Sequence, residues 1–294
     1  MLRFSSAADL KAAVGNARTS GREIVLVPTM GALHAGHLSL VELAKAGLPE
    51  VPASERKAPF VIVSVFVNPL QFGVGEDFER YPRTLESDAK LLEGAGVDVL
   101  FAPEVEEVYP NGQAGANHKT AGKAAEILEG HSRPGHFDGM LTVVARLFDL
   151  AEPDRAVFGA KDAQQLFLVR QMAAKDYPNL LVQAAPTVRE ASGLAMSSRN
   201  RFLSADDLRA ATALNRTLRQ ACSELEAGAP ADEVLEAHRR QLESDAPQAK
   251  LDYLQLVSAN DFEPVSNDFH GSAILLVAAN IGQTRLIDNL ELLI

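Results

Sequence analysis

The amino-acid sequence predicts an α/β protein, built on a parallel sheet with helices on both faces and completed by a smaller α+β domain. Three observations carry that expectation. Two apolar runs, IVLV at 24–27 and FVIVSVFV at 60–67, lack the polar alternation of a half-exposed strand and read as strands buried on both faces. Segments with apolar residues at helical spacing separate and follow those runs, in the strand–helix–strand order of a parallel sheet. Past residue 188 the order changes to helices and then strands, which marks a separate small domain. The expected division is 1–187 and 188–294.

Taken in order, residues 7–18 form an amphipathic helix with Leu10 and Val14 inward. The strand at 24–27 follows, and Pro28 ends it. Gly31 and Gly36 then make a tight connection into a helix carrying Leu38, Val41 and Leu43. Residues 47–59 are polar and proline-studded, an exposed loop. The second strand, 60–67, closes at Asn68-Pro69. A helix at 84–94 and a strand at 97–101 come next. Phe137, Met140, Leu141, Val144, Leu147 and Phe148 lie on one stripe of a helix at 137–152. A short strand at 156–158, a helix at 163–174 and a strand at 180–183 complete the sheet. Ser204, with Asp207 three residues on, starts a long helix as its cap. A helix at 231–244 and strands at 251–258, 272–279 and 285–290 follow.

Composition narrows the function. The 294 residues are 47% hydrophobic and 23% charged, with a net charge of −11. Both halves are acidic and no basic face-sized cluster is present, which argues against duplex DNA or an anionic membrane as partner. The lone Cys222 excludes an intrachain disulfide and sits on the apolar side of a helical pattern, a core position. No signal peptide opens the chain, and no apolar run reaches the roughly 18 residues of a spanning helix. The expected location is the cytoplasm.

The stretch from Ile24 to Lys45 organises the chain. A buried strand empties into a glycine-containing loop at a helix N-terminus, with His34 and His37 inside the turn. Backbone N–H groups left free there, together with the helix dipole, make an anion site, and two imidazoles add donors for phosphate oxygens. A solvated loop and a zinc pair are the competing readings. Zinc wants three or four ligands, and no Cys/His cluster accompanies these two.

Four more clusters lie in connecting segments. Asn68 and Gln71 follow the second strand and offer amides, either to a ligand or to cap a turn. Arg133 and His136 flank a Pro-Gly turn. Lys161 and Asp162 lie at a strand-to-helix crossing, where lysine suits phosphate and aspartate a ribose hydroxyl. Only one of the adjacent Gln164 and Gln165 can face a given direction. Ser197, Ser198 and Arg199 together read as a phosphate clamp or a polar linker. The inventory contains no Ser-His-Asp triad and no paired carboxylates. It suits charge stabilisation in phosphoryl or nucleotidyl transfer better than hydrolysis by a protein nucleophile.

Seven blocks, VPTMGALHAGHLSL (27–40), VFVNPLQFG (65–73), YPRT (81–84), RPGHFDG (133–139), FGAKDAQQ (158–165), LAMSSRNRFL (194–203) and TRLIDN (284–289), occur in the order of the pantothenate synthetase family. The resemblance spans nearly the whole chain, and the family's HxGH signature places it in the nucleotidyltransferase superfamily. It implies a Rossmann-like N-terminal domain, a smaller C-terminal domain covering the site, and a homodimer. It also implies ATP-dependent condensation of pantoate with β-alanine, with Mg2+, giving pantothenate, AMP and pyrophosphate through a pantoyl adenylate. By matching motif, His34 and His37 contact the ATP phosphates, while Lys161, Ser197, Ser198 and Arg199 hold them and stabilise the leaving pyrophosphate. Pro28 and Met30 line the nucleotide, Asp162 and the backbone at Gly159 take the ribose, and Val188 and Met196 lie near the base. Gln71 and Gln165 orient pantoate, with Met30, Arg133 and His136 lining its pocket. Asp88 matches a family acid near Mg2+.

Ala35, Ala160 and Ala163 depart from the family pattern, which has acids at the first two and often an aromatic at the third. The 47–59 segment is longer than the usual connection. Two rival readings stand beside the main one: another adenylyltransferase of the superfamily, and a nucleotide-binding homologue that has lost turnover.

Overall fold

A computed structural model describes residues 1–47, 57–73 and 78–294. Most of the segment expected as an exposed insertion, 47–59, lies outside the described residues. The chain divides into two compact units, Met1–Ala160 with Gln164–Pro186, and Lys161–Ala163 with Thr187–Ile294.

The first unit runs β1 (Leu2–Phe4), α1 (Ala7–Thr19), β2 (Ile24–Thr29), α2 (Ala35–Ala46), β3 (Phe60–Val65), α3 (Leu85–Gly94) and β4 (Val99–Phe101). It continues through the single turns α4 (Val105–Val108) and α5 (Glu129–Ser132), then α6 (His136–Ala151), β5 (Arg155–Gly159), α7 (Ala163–Asp176) and β6 (Leu181–Ala185). The strands form one six-stranded sheet in the order β1-β4-β3-β2-β5-β6, with every pairing parallel. Period-two alternation sorts the side chains of the central strands. Val25, Val27, Val61, Val63 and Val157 share a core with Leu40, Val41 and Ala44 of α2. On β5, Phe158 meets Phe148 of α6 at 6.4 Å between ring centres. Burial on both faces is why these strands carry no polar alternation.

The core also holds a cation. Arg155 is fully buried, and its guanidinium donates to both oxygens of Glu23, to the side chain of Gln183, and to the carbonyls of Leu43 and Ala44 at the end of α2. Those five bonds match its five donors. One arginine of β5 thereby ties together β6, α2 and the residue preceding β2.

The strand order reverses between β2 and β5. From β2 the chain winds outward through β3 to β4, whereas β5 leads to β6 on the other side. In an open parallel sheet, the carboxyl ends of the strands flanking such a reversal form the ligand crevice. The segment leaving β2 leads through His34 into the helix that holds His37, and β5 itself ends on Gly159.

In the second unit, α8 (Ala205–Glu226) and α9 (Ala231–Asp245) pack on an antiparallel sheet of β7 (Ala249–Ser258), β8 (Ser272–Ile281) and β9 (Thr284–Leu293). Ser204 caps α8 in a reciprocal box with Asp207, as its spacing predicts. Cys222 lies in the core between these layers. Among the described residues no helix is long and apolar enough to cross a membrane.

Candidate functional site

The loop leaving β2 is wired internally. Gly31 N–H donates to Thr29 Oγ1 at 3.2 Å, and Thr29 Oγ1 donates to the Ser64 carbonyl at 2.7 Å. Ala32 and Leu33 donate to the two oxygens of Asp88, at 3.0 and 2.9 Å. His34 N–H donates to His37 Nδ1 at 3.3 Å, and Gly36 N–H to His34 Nδ1 at 3.1 Å. His37 and Leu38 close onto the His34 carbonyl. This corrects the expectation of free backbone N–H groups at the mouth of the loop. The groups from Gly31 to His34, and from Gly36 to Leu38, are consumed within the unit.

What the loop presents instead is two oriented imidazoles. His34 is the N-cap of α2 and His37 its third residue, and each ring accepts a backbone N–H at Nδ1. A neutral imidazole that accepts at Nδ1 carries its proton on Nε2. Both rings are therefore Nε2–H donors, with centres 4.2 Å apart and planes tilted by 52°. Histidine serves here where serine or aspartate usually caps, because one side chain supplies both the cap acceptor and a distal donor. Ala35, between them, is exposed and Ala32 holds a left-handed backbone at φ 52°.

The expectation for Asp88 rested on a metal. Its carboxylate is 1% exposed and also accepts from Thr84 Oγ1 at 3.0 Å, so protein donors occupy both oxygens. Among the described residues no group of three or more His, Cys, Asp or Glu side chains is arranged as a metal cage.

The turn after β3 is equally constrained. Asn68 is fully buried: its Nδ2 donates to the Gly139 carbonyl at 3.0 Å, and its Oδ1 accepts from Leu70 N–H and the Tyr109 hydroxyl. Burial raises the Tyr109 hydroxyl above its ordinary range, which keeps it a donor. Asn68 thus builds the turn, the structural alternative its sequence left open. Gly139 permits that packing, since a Cβ there would lie 1.8 Å from the Leu70 carbonyl oxygen. Gln71 follows at 7% exposure, and its carbonyl accepts from His136 Nδ1 at 2.9 Å. Arg133 reaches His136 Nε2 at 3.1 Å. Arg133 and His136 are thereby joined to Gln71 through its backbone.

On α7 the two glutamines separate. Gln164 is buried and spans the carbonyls of Ala124 and Ile127 and the N–H of Glu129. Gln165 is half-buried on the adjacent face.

The second unit gathers the remaining residues. Val188 and Met196 face each other across a short hairpin, joined by the Met196 N–H to Val188 carbonyl bond at 2.9 Å. Ser197 Oγ accepts from Arg199 N–H at 3.2 Å and starts the short helical segment Ser198–Phe202. The Lys161 ammonium lies 3.9 Å from Asp162. Asn289 donates to the Lys161 carbonyl at 2.7 Å, and its neighbour Asp288 holds Arg189 through two short bonds. The 284–289 motif has a structural part here: its aspartate and asparagine hold the start of the 188–196 hairpin and the backbone at Lys161.

These features define an open parallel α/β protein whose doubled-histidine turn leaves a strand at the reversal of the sheet. The sequence model of the pantoate-beta-alanine ligase family matches residues 3–291. A pantothenate synthetase of Leifsonia xyli subsp. xyli is 48% identical over 286 residues, 97% of this chain and 94% of that protein. A solved pantothenate synthetase from Thermus thermophilus is similar with a TM-score of 0.88 and 45% identity, covering 99% of each chain. A pantoate-beta-alanine ligase from Francisella tularensis, solved in complex with beta-gamma ATP and beta-alanine, gives 0.76 at 36% identity, covering 99% of this chain and 97% of that one. The chain belongs to the pantoate–β-alanine ligase family.

Proposed function

We propose that this protein condenses pantoate with β-alanine at the expense of ATP, releasing AMP and pyrophosphate. The observation that carries the reading, beside family membership, is the pair of Nε2–H imidazoles fixed by reciprocal capping at the end of β2. Preorganised donors of this kind stabilise charge on phosphate without reorganising during the reaction.

In the first step a pantoate carboxylate oxygen attacks the α-phosphorus, the bond to the bridging oxygen of pyrophosphate breaks, and pantoyl adenylate forms. In the second the amine of β-alanine attacks the acyl carbon, loses a proton, and expels AMP. No protein nucleophile takes part. The chain's task is to align two anions and to neutralise the charge that builds on the leaving group.

His34, His37, Lys161, Ser197, Ser198 and Arg199 act on the phosphates. Pro28 and Met30 line the nucleotide, Asp162 and the backbone at Gly159 take the ribose, and Val188 and Met196 lie near the base. Gln71 and Gln165 orient pantoate through neutral amides, which leave its carboxylate nucleophilic. Arg133 and His136 serve that pocket by fixing the Gln71 carbonyl, and Met30 lines it. In this reading residues 1–187 carry the pantoate ligands, and 188–294 contribute the base contacts and the Ser-Ser-Arg cluster.

Mg2+ supplies charge neutralisation on the phosphates when bound. Mg2+ takes much of its octahedral shell from substrate phosphates and water, so it can arrive with the nucleotide without a dedicated protein cage. We further infer a cytoplasmic homodimer. The test is AMP formation in purified protein: it should require pantoate, β-alanine and ATP together. AMP release that ignores β-alanine points to a different acceptor, and no release at all to a nucleotide-binding homologue.

A further inference from the structure

The β2–α2 loop contains an anion-binding concavity that the protein fills itself. Gly31 and Ala32 are successive left-handed residues, at φ 83° and 52°. Successive N–H groups in such conformations converge on an anion. Here the N–H groups of Ala32 and Leu33 converge on Asp88, which reaches across from α3. Thr84, at the start of the same helix, donates to Oδ2 and steadies the carboxylate. The approach is close: a Cβ on Gly31 would lie 3.0 Å from Asp88 Oδ2 and 2.9 Å from Val65. A left-handed non-glycine residue such as Ala32 is strained and persists only where its surroundings over-determine it. Two residues further along is His34, whose backbone and ring define both imidazole orientations.

We propose that Asp88 is a positioning residue for the histidine pair, an internal carboxylate that fixes the loop so both Nε2–H donors are set before nucleotide binds. The proposal rests on the reading that His34 and His37 act on ATP phosphates. It assigns Asp88 a role different from the magnesium contact that its sequence position suggests. A charge that accepts two backbone bonds and a hydroxyl bond at 1% exposure is spent on the loop.

The test is Asp88→Asn, which keeps the shape but replaces one acceptor oxygen with an NH2 facing a backbone donor. Three quantities are measured on the folded variant: turnover, the Mg2+ concentration for half-maximal rate, and the 15N signals of the imidazoles without substrate. The expected result is a fall in kcat of about 10- to 100-fold, the low end for a displaced charge stabiliser. Half-saturating Mg2+ should stay within twofold, and the His34 and His37 signals should move from the wild-type Nε2–H pattern. Unchanged imidazole signals overturn the proposal, as does a raised Mg2+ requirement with turnover restored by excess metal. Shifted signals with normal turnover keep the positioning and overturn the assignment of the imidazoles to ATP. Should Asp88→Asn not fold, Thr84→Val decides by the same readouts. It removes only the hydroxyl contact, with an expected two- to fivefold loss of kcat, and unchanged kcat and imidazole signals overturn the proposal.

Discussion

His34 performs two tasks that a pair of substitutions can separate. Its Nδ1 accepts the Gly36 N–H and caps α2, and its Nε2–H is assigned to phosphate. Asparagine is among the best N-capping side chains and suits the extended backbone at this position, φ −142° and ψ 179°. It lacks the distal donor of the ring. His34→Asn should therefore keep the cap and lose the phosphate contact, whereas His34→Ala loses both. Loss of a cap costs about 1 kcal/mol, which lowers the midpoint of thermal unfolding by roughly 2–4 °C for a unit of this size. Loss of one preorganised donor costs about 10²- to 10³-fold in turnover. The expectation is a split. His34→Asn melts near wild type and His34→Ala below it, while single-turnover adenylation falls similarly in both. If His34→Asn turns over normally, the imidazole is a cap and nothing more, and the phosphate assignment fails.

Other expectations follow from single contacts. Gln71→Ala and Gln165→Ala should each weaken pantoate binding by about ten- to a hundredfold, from hydrogen bonds worth roughly 1.4 to 2.7 kcal/mol, with ATP affinity within a few-fold. Calorimetric titration of each ligand checks this, and a selective loss of ATP binding would place the acid pocket elsewhere. Gly139→Ala puts a Cβ 1.8 Å from the Leu70 carbonyl oxygen, so the 68–71 turn must move. It should cost about 1–3 kcal/mol of stability and weaken pantoate binding, and a variant unchanged in both would deny that helix α6 sets that turn. Burial, reinforced by Glu226, pushes the Cys222 thiol up to about 12. At pH 8 only about one thiol in 10⁴ is ionised, so alkylation of the native protein should be slow and become rapid in denaturant. Rapid native labelling would contradict its burial.

The sheet was legible because burial on both faces leaves a plain mark: residues 24–27 and 60–65 are apolar at every position but Ser64. The α6 stripe and the Ser204 box were readable for similar local reasons. Strand β1 went unread. It has three residues at the edge of the sheet, with Leu2 52% exposed, too short to carry a period. The histidine pair and its imidazole donors were visible as a motif, but the backbone groups beside them are not free. Two of them, on Ala32 and Leu33, are consumed by Asp88, some 55 residues away on another helix. Asn68 was left open between a ligand and a turn, and Tyr109 and Gly139, which decide for the turn, lie far along the chain. Gln164 and Gln165 could be separated only by resemblance, because the partners that occupy Gln164 come from a segment about 40 residues earlier. Local periodicity records which face is buried. It does not record which polar group a distant element satisfies.

In the proposed reaction pantoate's own carboxylate is the nucleophile and no protein group intervenes. Pantoate labelled with oxygen-18 in both carboxylate positions tests it directly. After complete turnover with β-alanine and ATP, mass spectrometry of the products should find one label in the phosphate of AMP and the other in the amide carbonyl of pantothenate. AMP that carries no label, from enzyme that is making pantothenate, would contradict the account.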